Sequence, residues 1–148
     1  MTVLAPRIEP VVRDLPPGFA KMRAEASSEG YRFLERLATA WESGIIRFDR
    51  DGESLLAAYS AGVLAGIGGL TVEPVIPCAL RMRRFYVRAP FRRTGIGRML
   101  AIALLDWPRL NGVPVTVNAA VGSGRFWESL GFSPDPSNGY THILLPGH

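Results

Sequence analysis

"FYVRAPFRRTGIGRMLAIAL", residues 85–104, decides how this chain is read. Phe85, Tyr86 and Val87 favour extended structure, and the stretch ends in an apolar run that suits a helix. Between them lie Arg92, Arg93, Gly95, Gly97 and Arg98. Glycine weakens a helix interior by about 1 kcal/mol relative to alanine. At a helix start the balance changes, because the first backbone N–H groups have no partner inside the helix. Bare glycines there let a ligand approach those groups, and the positive end of the helix dipole favours an anion. The arginines add full positive charge around the same point. The stretch therefore predicts a phosphate cradle.

Working outward, "LRMRRFYVR" (80–88) reads as a strand, and a helix follows over 95–107, ended by Pro108. Asn111–Gly112 turns the chain into "VPVTVNA" (113–119), a second strand. This βαβ unit makes the two strands parallel and puts the glycine loop at the carboxyl end of the first, where ligands bind in open sheets. Upstream, residues 55–72 carry no charge. Gly62, Gly66, Gly68 and Gly69 and the turn signal "YSAG" favour two buried strands, 54–60 and 63–72, over a membrane span. A first strand is expected at 8–13 and a helix after Pro16–Pro17 with Phe19, Met22 and Ala26 on one face. A second helix over 29–43, ended by Gly44, a short strand at 45–48 and an Asp51–Gly52 turn follow. Downstream, "SGRFWESLGF" (123–132) reads as a short helix, Asn138–Gly139 as a turn and "YTHILL" (140–145) as the last strand. The fold class is α/β (α+β): a mixed, mostly antiparallel central sheet with one parallel strand pair, flanked by about four helices.

The 148 residues suit one domain, 1–148, with a real core, and 47% hydrophobic against 20% charged residues marks a globular chain. Net charge is +4, too modest an excess to require a nucleic acid. The local cluster says more: Arg81, Arg83, Arg84, Arg88, Arg92, Arg93 and Arg98 fall within one short segment. Cys78 is the single cysteine, so no intrachain disulfide forms, and a reducing, cytoplasmic setting fits. The N-terminal residues have no apolar core of signal-peptide length.

The dinucleotide fingerprint G-x-G-x-x-G fails at Leu100, and the P-loop pattern fails because no lysine follows the glycines. Arg92, Arg93, Thr94, Gly95, Ile96 and Gly97, between a strand and a helix, resemble the coenzyme A-binding segment of the GNAT superfamily of N-acetyltransferases. That family reads arginine or glutamine, two residues, glycine, one residue, then glycine or alanine. "FWESLGF" (126–132) is similar to a second family segment, and the element order agrees as well.

The resemblance implies acetyl-CoA as cosubstrate, with no metal, and a small-molecule or peptide amine as acceptor. Backbone amides of residues 93–98 would hold the pyrophosphate. Tyr86 and Val87 would pair with the pantetheine arm between two splayed strands, and the Val87 amide would polarise the thioester carbonyl. Phe126 and Trp127 would flank the thioester. Two departures stand out. Strand 80–88 lacks the carboxylate that often helps deprotonate the amine, which leaves Glu73 and His142 as candidates. Trp127 stands where the family commonly has a tyrosine acid, and an indole cannot serve as that acid; Tyr140 is a candidate donor instead. Arg81 and Arg83 share one strand face and Arg84 the other. Arg81 and Arg83, with Asn118 and Tyr140, are the candidate acceptor-binding residues, and the arginines suggest an anionic group on the acceptor. Two other readings stay open: a coenzyme A-binding protein without catalysis, and a basic nucleic-acid-binding domain, which leaves the glycines unexplained. The sequence is compatible with a homodimer and does not require one.

Overall fold

The uncharged stretch 55–72 becomes the middle of the sheet. The computed structural model of the chain describes residues 5–136 and 139–147. Strands β1 (Arg7–Pro10), β2 (Ser54–Ser60), β3 (Val63–Val72), β4 (Leu80–Val87), β5 (Val115–Val117), β6 (Ser133–Pro134) and β7 (His142–Leu144) form one sheet in the order β1-β2-β3-β4-β5-β7-β6. Only β4 and β5 are parallel; every other neighbouring pair is antiparallel. Four helices flank it: α1 (Phe19–Ser28), α2 (Phe33–Ser43), α3 (Ile96–Asn111) and α4 (Gly124–Glu128). This is the mixed, mostly antiparallel architecture expected.

Each face of the sheet has its own apolar cluster. On one face α1 and α2 bring Phe19, Met22, Leu34, Leu37 and Trp41 against Leu55, Leu64 and Ile67. On the other, α3 brings Ile96, Leu100, Leu104 and Leu105 against Leu70, Leu80, Met82 and Val115. The β3 glycines are small because they must be. A Cβ on Gly68 would sit 2.8 Å from Phe85 and 3.0 Å from Leu104, and one on Gly69 would sit 2.5 Å from Phe48. Bare backbone lets both layers close onto the same strand.

Several boundaries differ from expectation. Residues 45–48 form no strand: β1 already occupies the edge of β2, and Phe48 instead turns into the α1–α2 cluster with φ of 55°. Pro108 does not end the helix, which runs on to Asn111. Its ring is fully buried against the core, and the lost N–H is offset by that burial and by the Val113 N–H donating to the Pro108 carbonyl. The expected strands 8–13, 113–119 and 140–145 shorten to β1, β5 and β7, the helix expected over 29–43 begins at Phe33, and the one expected over 123–132 shortens to α4. Asn138, half of the expected Asn138–Gly139 turn, lies outside the described residues.

Candidate active site

The parallel pair is short, and that opens the molecule. β4 and β5 pair only through Leu80–Val115, Arg81–Thr116 and Met82–Val117. Beyond Met82 the strands part, and β4 continues to Val87 with no partner on that side. The gap becomes a cleft of about 1080 Å³. Its floor is the unpaired length of β4, and its walls come from the glycine loop, residues 117–123, α4 and the α1–α2 turn. The Arg88 N–H donates to the Ala65 carbonyl on β3. Backbone groups alternate along a strand, so Tyr86 also points to β3, while Val87 turns its amide to the open edge. The Val87 carbonyl accepts from Arg92 Nε at 2.9 Å, and its N–H faces the gap left where the β4–β5 pairing stops at Met82.

At one end of the cleft, residues 89–91 make a single 3₁₀ turn and Gly95 precedes α3 with φ of 91°. The first N–H to find a helical acceptor is that of Met99, which donates to Gly95. Among the described residues, no backbone N–H from Arg93 to Arg98 has an acceptor within the protein. A row of free donors at a helix start suits an oxyanion. Gly97 lines the cleft, and a Cβ there would already stand 3.2 Å from Val87 Cγ2. The residues present thus fit the pyrophosphate that the resemblance implies. Thr94 does not point its hydroxyl outward; it donates to the Phe91 carbonyl at 2.6 Å and holds the turn. Ile96 is buried and anchors the helix start to the core.

The arginines of this segment divide by partner. Arg92 makes a bidentate pair with Glu29, both contacts 2.7 Å, and lies over the Tyr86 ring. Arg88 does the same with Glu25 at 2.8 and 2.9 Å and donates to the Leu64 carbonyl. Tyr86 donates its hydroxyl to Glu29. The Arg92 hydrogen bonds, then that from Tyr86, hold the Glu29 carboxyl below its ordinary pKa; burial, then Glu29, pushes the Tyr86 phenol well above its own. Glu25 on α1 and Glu29, the residue that caps its C-terminus four positions on, therefore clamp the end of β4 and the start of the loop. Arg92 thus spends its charge on Glu29, a role the sequence reading gave to the ligand. Arg93, with φ of 62°, makes no ion pair, and Arg98 reaches only the Ser129 hydroxyl at 3.2 Å.

Phe126 and Trp127 form the far wall. Trp127 stands edge-on to Phe85 and Phe126, ring centres 4.9 Å apart in both cases, and 5.5 Å from Phe132. The indole is buried and borders the cleft.

The two candidate bases are not brought to this cleft. His142 is buried on β7, with Nε2 2.9 Å from Glu128 and Nδ1 2.7 Å from the Thr141 hydroxyl. Both ring nitrogens are thus engaged, and His142 is not among the residues that line the opening. The Glu73 side chain is fully buried. It pairs with Arg81 at 2.9 Å and accepts from the Val75 and Ile76 N–H groups at 2.5 Å, which closes the loop between β3 and β4. Tyr140 is likewise outside the lining and donates to Asp135 at 3.1 Å. Asn118 does line the cleft, at the point where β5 ends. Among the described residues no carboxylate or imidazole borders the opening, and no group of three His, Cys, Asp or Glu is placed to hold a metal.

Tyr31 and Phe33 pack against the Tyr86 ring, and Arg36, Arg83 and Arg84 also border the cleft. Regular alternation would set Arg83 and Arg84 on opposite faces. A register shift opposite Gly68 makes Arg84 the extra residue of a bulge, with φ of 56°, and both arginines border the cleft. The bulge also returns Phe85 to the α3 side and Tyr86 to the α1–α2 side. Sequence reasoning did not single out Glu25, Glu29 or Arg36; the i, i+4 spacing of the two glutamates was the only signal for the clamp.

A protein of Exiguobacterium described as a putative acetyltransferase has the same fold, with a TM-score of 0.85 at 24% identity, over 96% of this chain and 94% of that one. An N-acetyltransferase of Bacillus subtilis, solved in complex with coenzyme A, superposes with a TM-score of 0.63 at 17% identity, over 96% of this chain and 97% of that one. An uncharacterized N-acetyltransferase of Shouchella clausii is 40% identical over 55 residues, 37% of this chain and 31% of that protein, so the match spans about a third of the relative's length. The sequence pattern of the acetyltransferase (GNAT) domain matches residues 18–143, and with the split β4–β5 pair and the loop of free amides beside it, the chain belongs to the GNAT acetyltransferase family.

Proposed function

We propose that this protein moves an acetyl group from acetyl-CoA to a primary amine, with both held in the cleft together. The observation that carries the reading is the unbroken row of free N–H groups from Arg93 to Arg98 beside the open edge of β4. The Bacillus subtilis relative, which binds coenzyme A on the same fold, supports it.

Acetyl-CoA supplies an acetyl thioester, so transfer to an amine forms one N–C bond, breaks one C–S bond and moves one proton from nitrogen to sulfur. The loop amides hold the pyrophosphate. The Val87 N–H donates to the carbonyl oxygen, where a fixed donor in a water-poor cleft is worth several kcal/mol (about 2.7–4 for a single donor). Phe126 and Trp127 keep water from the thioester side. The amine must arrive neutral, and an alkylamine titrates near 10.4 (an approximate reference value). Among the described residues no carboxylate or imidazole lines the cleft. The proton of the amine therefore leaves through solvent.

Calorimetry with acetyl-CoA, followed by thiol release over a panel of amines, tests the proposal. Binding in the micromolar range and thiol release dependent on one amine class are expected. Binding with no release above the hydrolytic background across the panel would leave a coenzyme A-binding protein without catalysis, and no binding would overturn the reading altogether.

A further inference from the structure

We propose that Arg83, Arg84 and Arg36 form a subsite for a dianionic oxyanion, of the phosphate-monoester class, carried by the acceptor. The inference rests on the acetyl-transfer reading and adds the chemistry of the acceptor.

All three arginines border the cleft, Arg83 and Arg36 stand close enough to Arg84 to act on its charge, and none of them forms an ion pair among the described residues. The carboxylates nearest Arg83 are already committed. Glu73 holds Arg81 and two backbone N–H groups, and Glu53 accepts from the Arg50 and Val72 N–H groups at 3.2 and 2.8 Å. Arg83 Nε is buried with no acceptor in the protein. Burial, then neighbouring Arg81, lowers the Arg83 pKa; burial, then Arg83 and Arg36, lowers that of Arg84.

An assembly of like charges is unfavourable in the free protein, and a bound anion relieves it. The backbone takes on strain to build it: Arg84 adopts a left-handed φ, which a non-glycine residue rarely does, and the resulting bulge puts two sequence neighbours on one wall. A single carboxylate would leave most of the charge uncompensated. A phosphate monoester carries about −1.5 to −2 at neutral pH and three acceptor oxygens, which match the planar N–H forks of several arginines. Tyr31 and Phe33, packed against Tyr86, border the same cleft and offer apolar surface to the rest of such a molecule.

The test is titration of inorganic phosphate into protein saturated with coenzyme A, at constant ionic strength, followed by calorimetry and thermal shift. Saturating coenzyme A occupies the loop amides, so a phosphate arm of the cofactor cannot account for the signal. Saturable phosphate binding is expected, with acetate at least tenfold weaker. Arg83→Gln and Arg84→Gln should each weaken phosphate at least tenfold, while Arg13→Gln, an exposed charge elsewhere, leaves it unchanged. Arg84→Lys, which keeps the charge but not the fork, should fall between them. Circular dichroism checks that each variant is folded. Absence of saturable binding, equal binding of acetate, or equal loss in Arg13→Gln would overturn the subsite. Failure of coenzyme A itself to bind would instead overturn the acetyl-transfer reading.

Discussion

Arg88 and Arg92 lie a few positions beyond Arg83 and Arg84 on the same chain, and the two pairs differ most in their partners. Arg88 meets a glutamate of α1, and Arg92 the glutamate that caps it, each in a bidentate pair. Among the described residues Arg83 and Arg84 meet no carboxylate. The paired arginines have no charge left for a ligand; they fix where β4 ends and where the loop of free amides begins. The unpaired ones face the cleft with their charge uncompensated. A cluster of like residues in sequence is thus split in two by the fold, one half tied into the scaffold and the other left without a carboxylate beside the cleft.

The largest effect expected from this contrast is on stability. Glu25→Ala leaves the Arg88 guanidinium, 10% exposed, with the Leu64 carbonyl and the Phe91 ring but no counter-charge. A loss of about 2–3 kcal/mol in urea unfolding is expected for a charge left buried without its partner. Arg84→Gln, which removes a charge that has no partner, should cost nothing or stabilise slightly. Equal losses in the two variants would erase the distinction between the pairs.

Gly97→Val asks whether the loop binds through its backbone. A Cβ at that position is already 3.2 Å from Val87 Cγ2, and the added methyls would fill the space in front of the amides. Acetyl-CoA affinity should fall at least tenfold, or about 1.4 kcal/mol. Unchanged affinity in the folded variant would move the binding from the amides to Arg93 and Arg98.

Acid titration probes the clamp alone. The Glu25 and Glu29 carboxyls are held below their ordinary pKa, chiefly by hydrogen bonds from Arg88 and Arg92. Their folded values being depressed, the stabilisation is present above the ordinary carboxylate pKa, about 4.3, and is lost as pH falls through the folded values. Wild type should therefore lose stability on acidification faster than a Glu25→Gln, Glu29→Gln double variant, and the two curves should converge. Parallel urea midpoints between about pH 6 and 3 would show that the ion pairs do not hold the loop.

The smallest effect extends the same rule to histidine. His142 is engaged at both nitrogens, by Glu128 and Thr141, and stands outside the cleft. His142→Ala should keep turnover within about threefold, with the pH–rate profile unchanged near the imidazole range, whereas a general base would cost about a hundredfold or more. A hundredfold drop would bring His142 back to the chemistry.

The glycine loop, the βαβ unit and the buried pair β2–β3 were readable because their signals are local. Glycines before an apolar run mark a helix start with exposed amides wherever the rest of the chain goes, and an uncharged run broken by "YSAG" can hardly be anything but a hairpin in a core. The bulge at Arg84 was not readable. Nothing in "LRMRRFYVR" announces it, and it arises because β4 must serve two packed faces at once, Phe85 toward α3 and Tyr86 toward α1 and α2. Pro108 and residues 45–48 failed for a similar reason: burial of the proline outweighed its local preference, and an extended segment found no free strand edge to join.

The family and the place of its row of free amides follow from sequence alone, since such a row depends on bare glycines and a helix start, both encoded within residues 92–98. The employment of each charged side chain was decided only in the folded chain. Glu25 and Arg88 are 63 residues apart in sequence, as are Glu29 and Arg92, and Glu73 reaches Arg81 across a loop. A charge acts through whatever stands within a few ångströms of it, and that neighbour is set by how α1, the sheet and the loop pack together.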